Sequence, residues 1–278
     1  MNELIRQMFT PDGVLFFPVI IGLLGSLSFG VIGSYVVVRR ISYAAHGISH
    51  AVLLGIGAAL FLRHTTGLSW IHPLSGAFAA ALLAAWIIGA STLYAPHRAD
   101  SVISAVTVAG LAGGLIFLAR TPGYFDPMSV LFGDILLVSL TDVWMTSLLN
   151  LTVVLAGLLF YVRLQMVCFD EEFARLRGVR VEFWFILLMM LTAVTVVVMM
   201  QVVGLVLVTA LLTLPVMTAL RFARSLRRSM LTASLICAVC VTGGLALSYH
   251  LDLPCGPVIV LFAGAVYLLS LGLRRRSL

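Results

Sequence analysis

The stretch Ile41–Gly55, ISYAAHGISHAVLLG, sets two imidazoles four residues apart in a run that is otherwise almost wholly apolar. Neutral imidazole is a good ligand for zinc, and also for iron and, less tightly, manganese. Residues at i and i+4 stack on one face of a helix, so His46 and His50 share a direction if this stretch is helical. Ten residues past Arg40, His50 would stand about 15 Å along such a helix, near the middle of a ~30 Å hydrocarbon core. An ionisable group at that depth is expensive and normally faces a bundle interior or a water-filled path. Two readings stand side by side. The pair forms part of a transient metal site facing a cavity, or each ring hydrogen-bonds a neighbouring helix and never meets a metal.

Other titratable residues sit at breaks in the apolar pattern. Asp134 and Asp142 lie eight residues apart and either focus cations towards a mouth or cap helices; capping is the better reading for Asp142, just after Thr141. His64, His72, His250 and Asp252 fall on the same predicted side, as a sparse histidine rim, and His97 reads as a boundary residue. Cys168, Cys237, Cys240 and Cys255 give no paired framework, and Cys237 and Cys240 read as packing thiols on one helix face. The chain has no lysine, so a G-x-x-x-x-G-K-[ST] phosphate loop cannot exist here and any nucleotide hydrolysis belongs to another polypeptide.

The elements that must position these residues follow from composition. Of 278 residues, 62% are hydrophobic and 10% charged, and the mean hydropathy is +1.14. A soluble domain carries about 25% charged residues, so this is an all-α, polytopic membrane chain. The apolar runs continue to the C-terminus, which one signal peptide does not explain, and residues 1–278 read as a single transmembrane domain. Spans are expected at 14–38, 44–62, 73–94, 101–119, 143–163, 183–200, 202–220, 231–248 and 255–272. The net charge of +6 comes from 17 arginines clustered in the breaks, a topology signal rather than a nucleic-acid footprint. With the C-terminal Arg274–Arg276 run inside, the N-terminus lies outside and all arginines fall on the cytoplasmic side except Arg6, Arg63 and Arg120. Nine spans depend on a turn near Gln201 and Gly204; one kinked span over 183–220 would spoil that split.

Two breaks are more than loops. Residues 122–142, PGYFDPMSVLFGDILLVSLTD, are too short and polar for a span and too apolar for a plain loop, so an outer short helix or re-entrant element is expected, covered by protein. The cytoplasmic loop 163–182 contains FDEEFARLRGV. One or two helical turns from Phe169 to Leu176 would place Asp170, Glu171 and Glu172 at the start and Arg175 and Arg177 towards the end, suiting the dipole, with Gly178 to stop the helix. Such a capped turn, presenting Phe173 and Leu176, makes a docking knob; a solvated loop with internal ion pairs is the plain alternative.

Several stretches together carry a resemblance: RRISYAAHGISHAVLLG at 39–55, HRADSVISAV at 97–106, SVLFGDILLVS at 129–139, FDEEFARLRGV at 169–179, the block VGLVLVTALLTLPVMTALRFARSLRRSMLTASL, and LSYHLDLPCGPVIVL at 247–261. Over nearly its whole length the chain resembles the membrane permease subunit of the bacterial ABC importers for zinc, manganese and iron. The resemblance implies a fold like the vitamin B12 and siderophore importers' membrane subunits, with eight or nine spans in the inner membrane. It also implies a second permease copy, two ATPase subunits gripping FDEEFARLRGV as a coupling helix, and an extracytoplasmic metal-binding protein. Where the family commonly has Asp four residues before the histidine of its second span, this chain has His46, preceded by Ala45; the familiar histidine corresponds to His50.

The expected function is passage of a divalent cation, zinc before manganese, past Asp134, His50 and His46, with no resident cofactor and no chemistry of the chain's own. A permease for a chelate, siderophore or vitamin would want a roomier aromatic lining. An ion-coupled secondary transporter would want paired acids inside spans. A membrane scaffold gives no reason for a mid-depth histidine pair.

Overall fold

The computed structural model describes residues 15–67, 70, 72–122, 131–133 and 140–273, with the side chains of Thr141, Asp142 and Met145 outside the description. Among the described residues there is no β-strand. The α-helices whose bounds lie among the described residues run in order: α1 Phe16–Val38, α2 Ser42–Thr66, α3 Pro73–Tyr94, α4 Ala99–Arg120, α5 Leu140–Leu159, α6 Tyr161–Phe169, α7 Glu171–Leu176, α8 Val181–Val203, α9 Leu205–Leu220, α10 Leu226–Leu251 and α11 Cys255–Gly272.

Seven of these are long and apolar enough to cross a membrane, or eight if α5 and α6 count as one bent span. Eight meets the expectation of eight or nine, and the two departures from the nine spans laid out along the sequence have physical causes. α5 and α6 meet at 68°, so the expected span 143–163 does not continue straight. α6 exposes Arg163 together with Val162 and Phe169 and buries Leu164, Val167 and Cys168. Phe160, at the bend, stacks on Trp184 with ring centroids 5.0 Å apart. α9 has 16 residues, about 24 Å of helix, and falls short of a full crossing.

α9 starts within the protein. The expected turn near Gln201 and Gly204 is present at Gly204, which is buried and has φ 85° and ψ 160°, a region essentially reserved for glycine. Phe132 and Gly133 pack directly on the backbone of Val203 and Gly204, and Phe132 also meets Gly256. The break between α8 and α9 is thus covered by protein, as irregular backbone at membrane depth must be.

Small residues set the helix crossings. α2 lies between α3 and α4, while α1 packs on α10, α5 and α9. At Gly55 and Gly76 the backbones of α2 and α3 touch, and Gly30 seats against Ser234 and Met230 of α10. Such close approach lets dispersion contacts hold helices together where lipid removes the hydrophobic drive. Buried polar groups are paired across helices: Ser28 donates to Asn150 Oδ1 at 2.7 Å, Asn150 Nδ2 donates to Met199 Sδ at 3.3 Å, and Tyr35 donates to the Gly157 carbonyl at 2.8 Å. These tie α5 to α1 and α8.

Candidate functional site

α2 begins at Ser42, straight after a tight corner in which Arg40 takes φ 61° and Ile41 N–H reaches back to the Val36 carbonyl at 2.9 Å. His50 stands eight residues into the helix, about 12 Å from its start. The i, i+4 spacing does what the sequence predicts: His46 and His50 lie on one face with their Nε2 atoms 3.2 Å apart. His50 is buried and His46 partly so.

That separation has chemical content. Two nitrogens each bound to zinc at 2.0–2.1 Å in tetrahedral geometry stand about 3.3 Å apart. A longer metal–nitrogen bond with a 90° octahedral angle gives nearly the same spacing, so the distance suits a divalent metal without choosing which. With no metal between them, one Nε2–H donates to the other Nε2. His50 Nδ1 is buried and has no partner among the described residues. A bare lone pair there costs less than an orphaned N–H, which favours the tautomer in which His50 carries its proton on Nε2 and donates it to His46.

His46 opens into a groove of about 550 Å³ between α2 and α9, lined also by Ser42, Tyr43, Thr209, Thr213 and Met217. Thr209 and Thr213 escaped the sequence reading. Each donates its hydroxyl proton to its own helix, Thr209 to the Val206 carbonyl at 2.9 Å and Thr213 to the Thr209 carbonyl at 2.8 Å. Their i, i+4 spacing within the apolar LVLVTALLTLP is the same signal that marked the histidines.

The back of α2 is held by α4. A Cβ on Gly110 would stand 2.8 Å from the His50 carbonyl carbon and oxygen and from Ala51 N, and one on Gly114 equally close to Leu53. Gly110 therefore lets the α4 backbone seat against α2 at the histidine itself. Gly110→Val is expected to cost about 1–3 kcal/mol by overpacking although His46 and His50 are unchanged. Thermal unfolding in detergent, run beside the unaltered chain, checks it.

The remaining expected ligands do not join the pair. Asp134 lies outside the described residues, as do Arg274–Arg276. Asp142 stands inside α5 rather than before it, which corrects the capping expectation as far as the backbone goes. His72 caps α3, its Nδ1 accepting from Leu74 N–H at 3.3 Å, and His64 and His250 are exposed. Among the described residues no group of three or more His, Cys, Asp or Glu is placed to hold a metal. Cys237 and Cys240 are buried, as packing thiols should be.

The second candidate surface is α7. The expected helix from Phe169 to Leu176 is divided, because Asp170 is extended (φ −152°, ψ 104°) and separates α6 from α7. Asp170 Oδ1 accepts from Phe173 N–H at 2.9 Å as an N-cap, with Glu171 and Glu172 in the first turn and Arg175 in the last. Gly178, at φ 74°, ends the turn, and Val179 N–H bonds back to the Ala174 carbonyl at 3.0 Å. Ala174 faces inward, while Leu176 is 87% and Phe173 44% exposed. Arg175 pairs with Glu182 at 2.8 Å, and Glu171 forms an ion pair with Arg39. Arg163 lies over Trp184 and Arg227 over Tyr161, so α7 sits at the end of the bundle where the arginine-bearing breaks collect.

A helical bundle with seven or eight helices fit to cross a membrane, a buried helix break, two histidines on one face and a capped knob at its arginine-rich end has the build of a multi-pass membrane protein. Residues 13–274 match the ABC 3 transport family, and the chain belongs to that family, as a permease subunit of an ABC transporter. A "Probable metal transport system membrane protein" of Chlamydia trachomatis is 38% identical over 99% of this chain and 93% of its own. The manganese import system permease protein ScaB of Streptococcus parasanguinis is 33% identical, covering 87% and 84%. The high-affinity zinc uptake system membrane protein ZnuB of Buchnera aphidicola is 30% identical, covering 90% and 94%. Among solved structures, PsaBC from Streptococcus pneumoniae in complex with Fab superposes with a TM-score of 0.84 at 30% identity, over 97% of this chain and 94% of that one.

Proposed function

We propose that this chain is the membrane-spanning subunit of an ATP-driven importer of divalent transition-metal cations, with zinc the favoured cargo. The observation that carries the reading is the 3.2 Å separation of the His46 and His50 Nε2 atoms beside an open groove. Relatives named for manganese and for zinc support the metal class equally. The preference for zinc rests on the donors, since two imidazoles suit zinc better than they suit manganese, which takes carboxylate and carbonyl oxygen.

In this reading a cation arriving near Asp134 from an extracytoplasmic binding protein is held briefly by His50 and His46. Coordination through His50 Nε2 moves that ring's proton to Nδ1, where it meets no acceptor among the described residues. The stranded N–H costs about 1–3 kcal/mol and weakens the hold, which suits passage rather than capture. The groove past Ser42 and Tyr43 then leads towards the arginine-rich end, taken as cytoplasmic by the positive-inside rule. Asp170, Glu171, Glu172, Phe173, Arg175, Leu176 and Gly178 form the knob that an ATPase subunit grips. A second copy of the chain closes the pathway.

The test is metal uptake in vesicles containing the permease, its ATPase and its binding protein. His46→Asp is expected to raise manganese uptake relative to zinc by about tenfold, because an oxygen ligand replaces a nitrogen. An unchanged ratio overturns the specificity reading. Uptake of neither metal by the intact protein overturns the function.

A further inference from the structure

We propose that the Arg39–Glu171 ion pair is the link through which movement of α7 reaches the histidine pair; this rests on the reading of α7 as the ATPase dock. Glu171 is the first residue of α7, and Arg39 is the last residue before the corner into α2. The two lie far apart in sequence and meet only by folding. Their side chains are 33% and 25% exposed, so the pair is partly withdrawn from water and less screened than the Arg175–Glu182 pair, at 58% and 41%.

The arginine is held on its other side as well. Its guanidinium carbon lies 5.3 Å from the centre of the Phe185 ring, at the base of α8. Arg39 Nε is buried without a partner among the described residues. A planar cation fixed by a ring and a carboxylate has little freedom left, so a displacement of Glu171 is passed on rather than absorbed.

The corner beyond it is stiff. Arg39 N–H bonds to the Tyr35 carbonyl at 2.9 Å, Arg40 N–H to Val37 at 3.1 Å and Ile41 N–H to Val36 at 2.9 Å. Arg40 occupies the left-handed region at φ 61°, and Ile41 is buried. Ala45 N–H then bonds to the Ile41 carbonyl at 3.1 Å, carrying the corner into the first turn of α2. His46 follows immediately. A pull on Arg39 therefore turns the start of α2 as one piece and alters how His46 is presented to Thr209 across the groove. Of the two ion pairs that α7 makes among the described residues, this one leads to the metal-facing helix.

The experiment reads zinc uptake per ATP hydrolysed in vesicles that contain the permease, its ATPase and its binding protein. Arg39→Gln is expected to keep ATPase copurification and basal hydrolysis while uptake per ATP falls at least about fivefold, the lower end of ordinary coupling between sites. Glu171→Gln, at the partly exposed partner of the same pair, should lower the same ratio and keeps the proposal open to refutation if Arg39→Gln does not accumulate in the membrane. The reversed pair R39E/E171R should recover most of the ratio. An unchanged ratio in either single variant, or no recovery in the reversed pair, overturns the link. Failure of the unaltered permease to copurify with the ATPase instead overturns the docking reading beneath it.

Discussion

Replacing His50 by alanine is expected to lower zinc uptake at least tenfold at equal protein in the vesicle membrane. On the proposed function one of two imidazole–metal bonds is lost, and about 1.4 kcal/mol already accounts for a factor of ten. The rival explanation is packing, since the side chain is buried. The two are separated by His50→Leu, which restores apolar bulk but no lone pair, and by thermal unfolding. If His50→Leu transports normally, the ring is a packing residue and the metal reading fails. If both variants lose transport while Tm stays within a few degrees of the intact protein, coordination is the cause. His46→Ala should do less damage, because His46 keeps part of its surface in the groove, where water replaces a lost ligand more cheaply.

The second large effect is expected at Gly204. A Cβ there would collide with Gly133 N and the Phe132 carbonyl carbon, and φ 85° with ψ 160° is closed to any other residue. Strain of about 1–3 kcal/mol from the backbone adds to a backbone clash that no rotamer relieves. Gly204→Val is therefore expected to prevent accumulation of folded permease, read as loss of the monodisperse peak after detergent extraction. Gly264→Val, where a Cβ meets nothing within 4 Å, serves as the matched control and should behave as the unaltered chain. Equal behaviour of the two variants would show that the α8–α9 break tolerates other geometries.

Several features could be read before any coordinates. Low charge, high hydropathy and arginines grouped in breaks fix the membrane class and the approximate ends of most helices, because each depends on the local solvent, lipid or water, that a segment meets. The cap of α7 was equally legible: Asp170, the acids after it, and Gly178 act on backbone groups within a few residues. The shared face of His46 and His50 follows from helical periodicity alone. Where that reading slipped, the cause was a tertiary one. Apolar character cannot tell that α5 bends into α6 at Phe160, where the ring packs against Trp184, further along the chain. Nor can it tell that α9 starts below the surface, under Phe132 and Gly133.

By itself, then, the sequence determined the solvent this protein lives in, the direction its two imidazoles share and the knob at its arginine-rich end. The tertiary structure alone decided that Thr209 and Thr213 share the groove with His46, that Gly110 seats α4 behind His50, and that Arg39 finds Glu171. The physical reason is separation along the chain. Capping and periodicity act within one or two turns and leave their signature in neighbouring residues, whereas these contacts join elements far apart in sequence and exist only once the helices have packed.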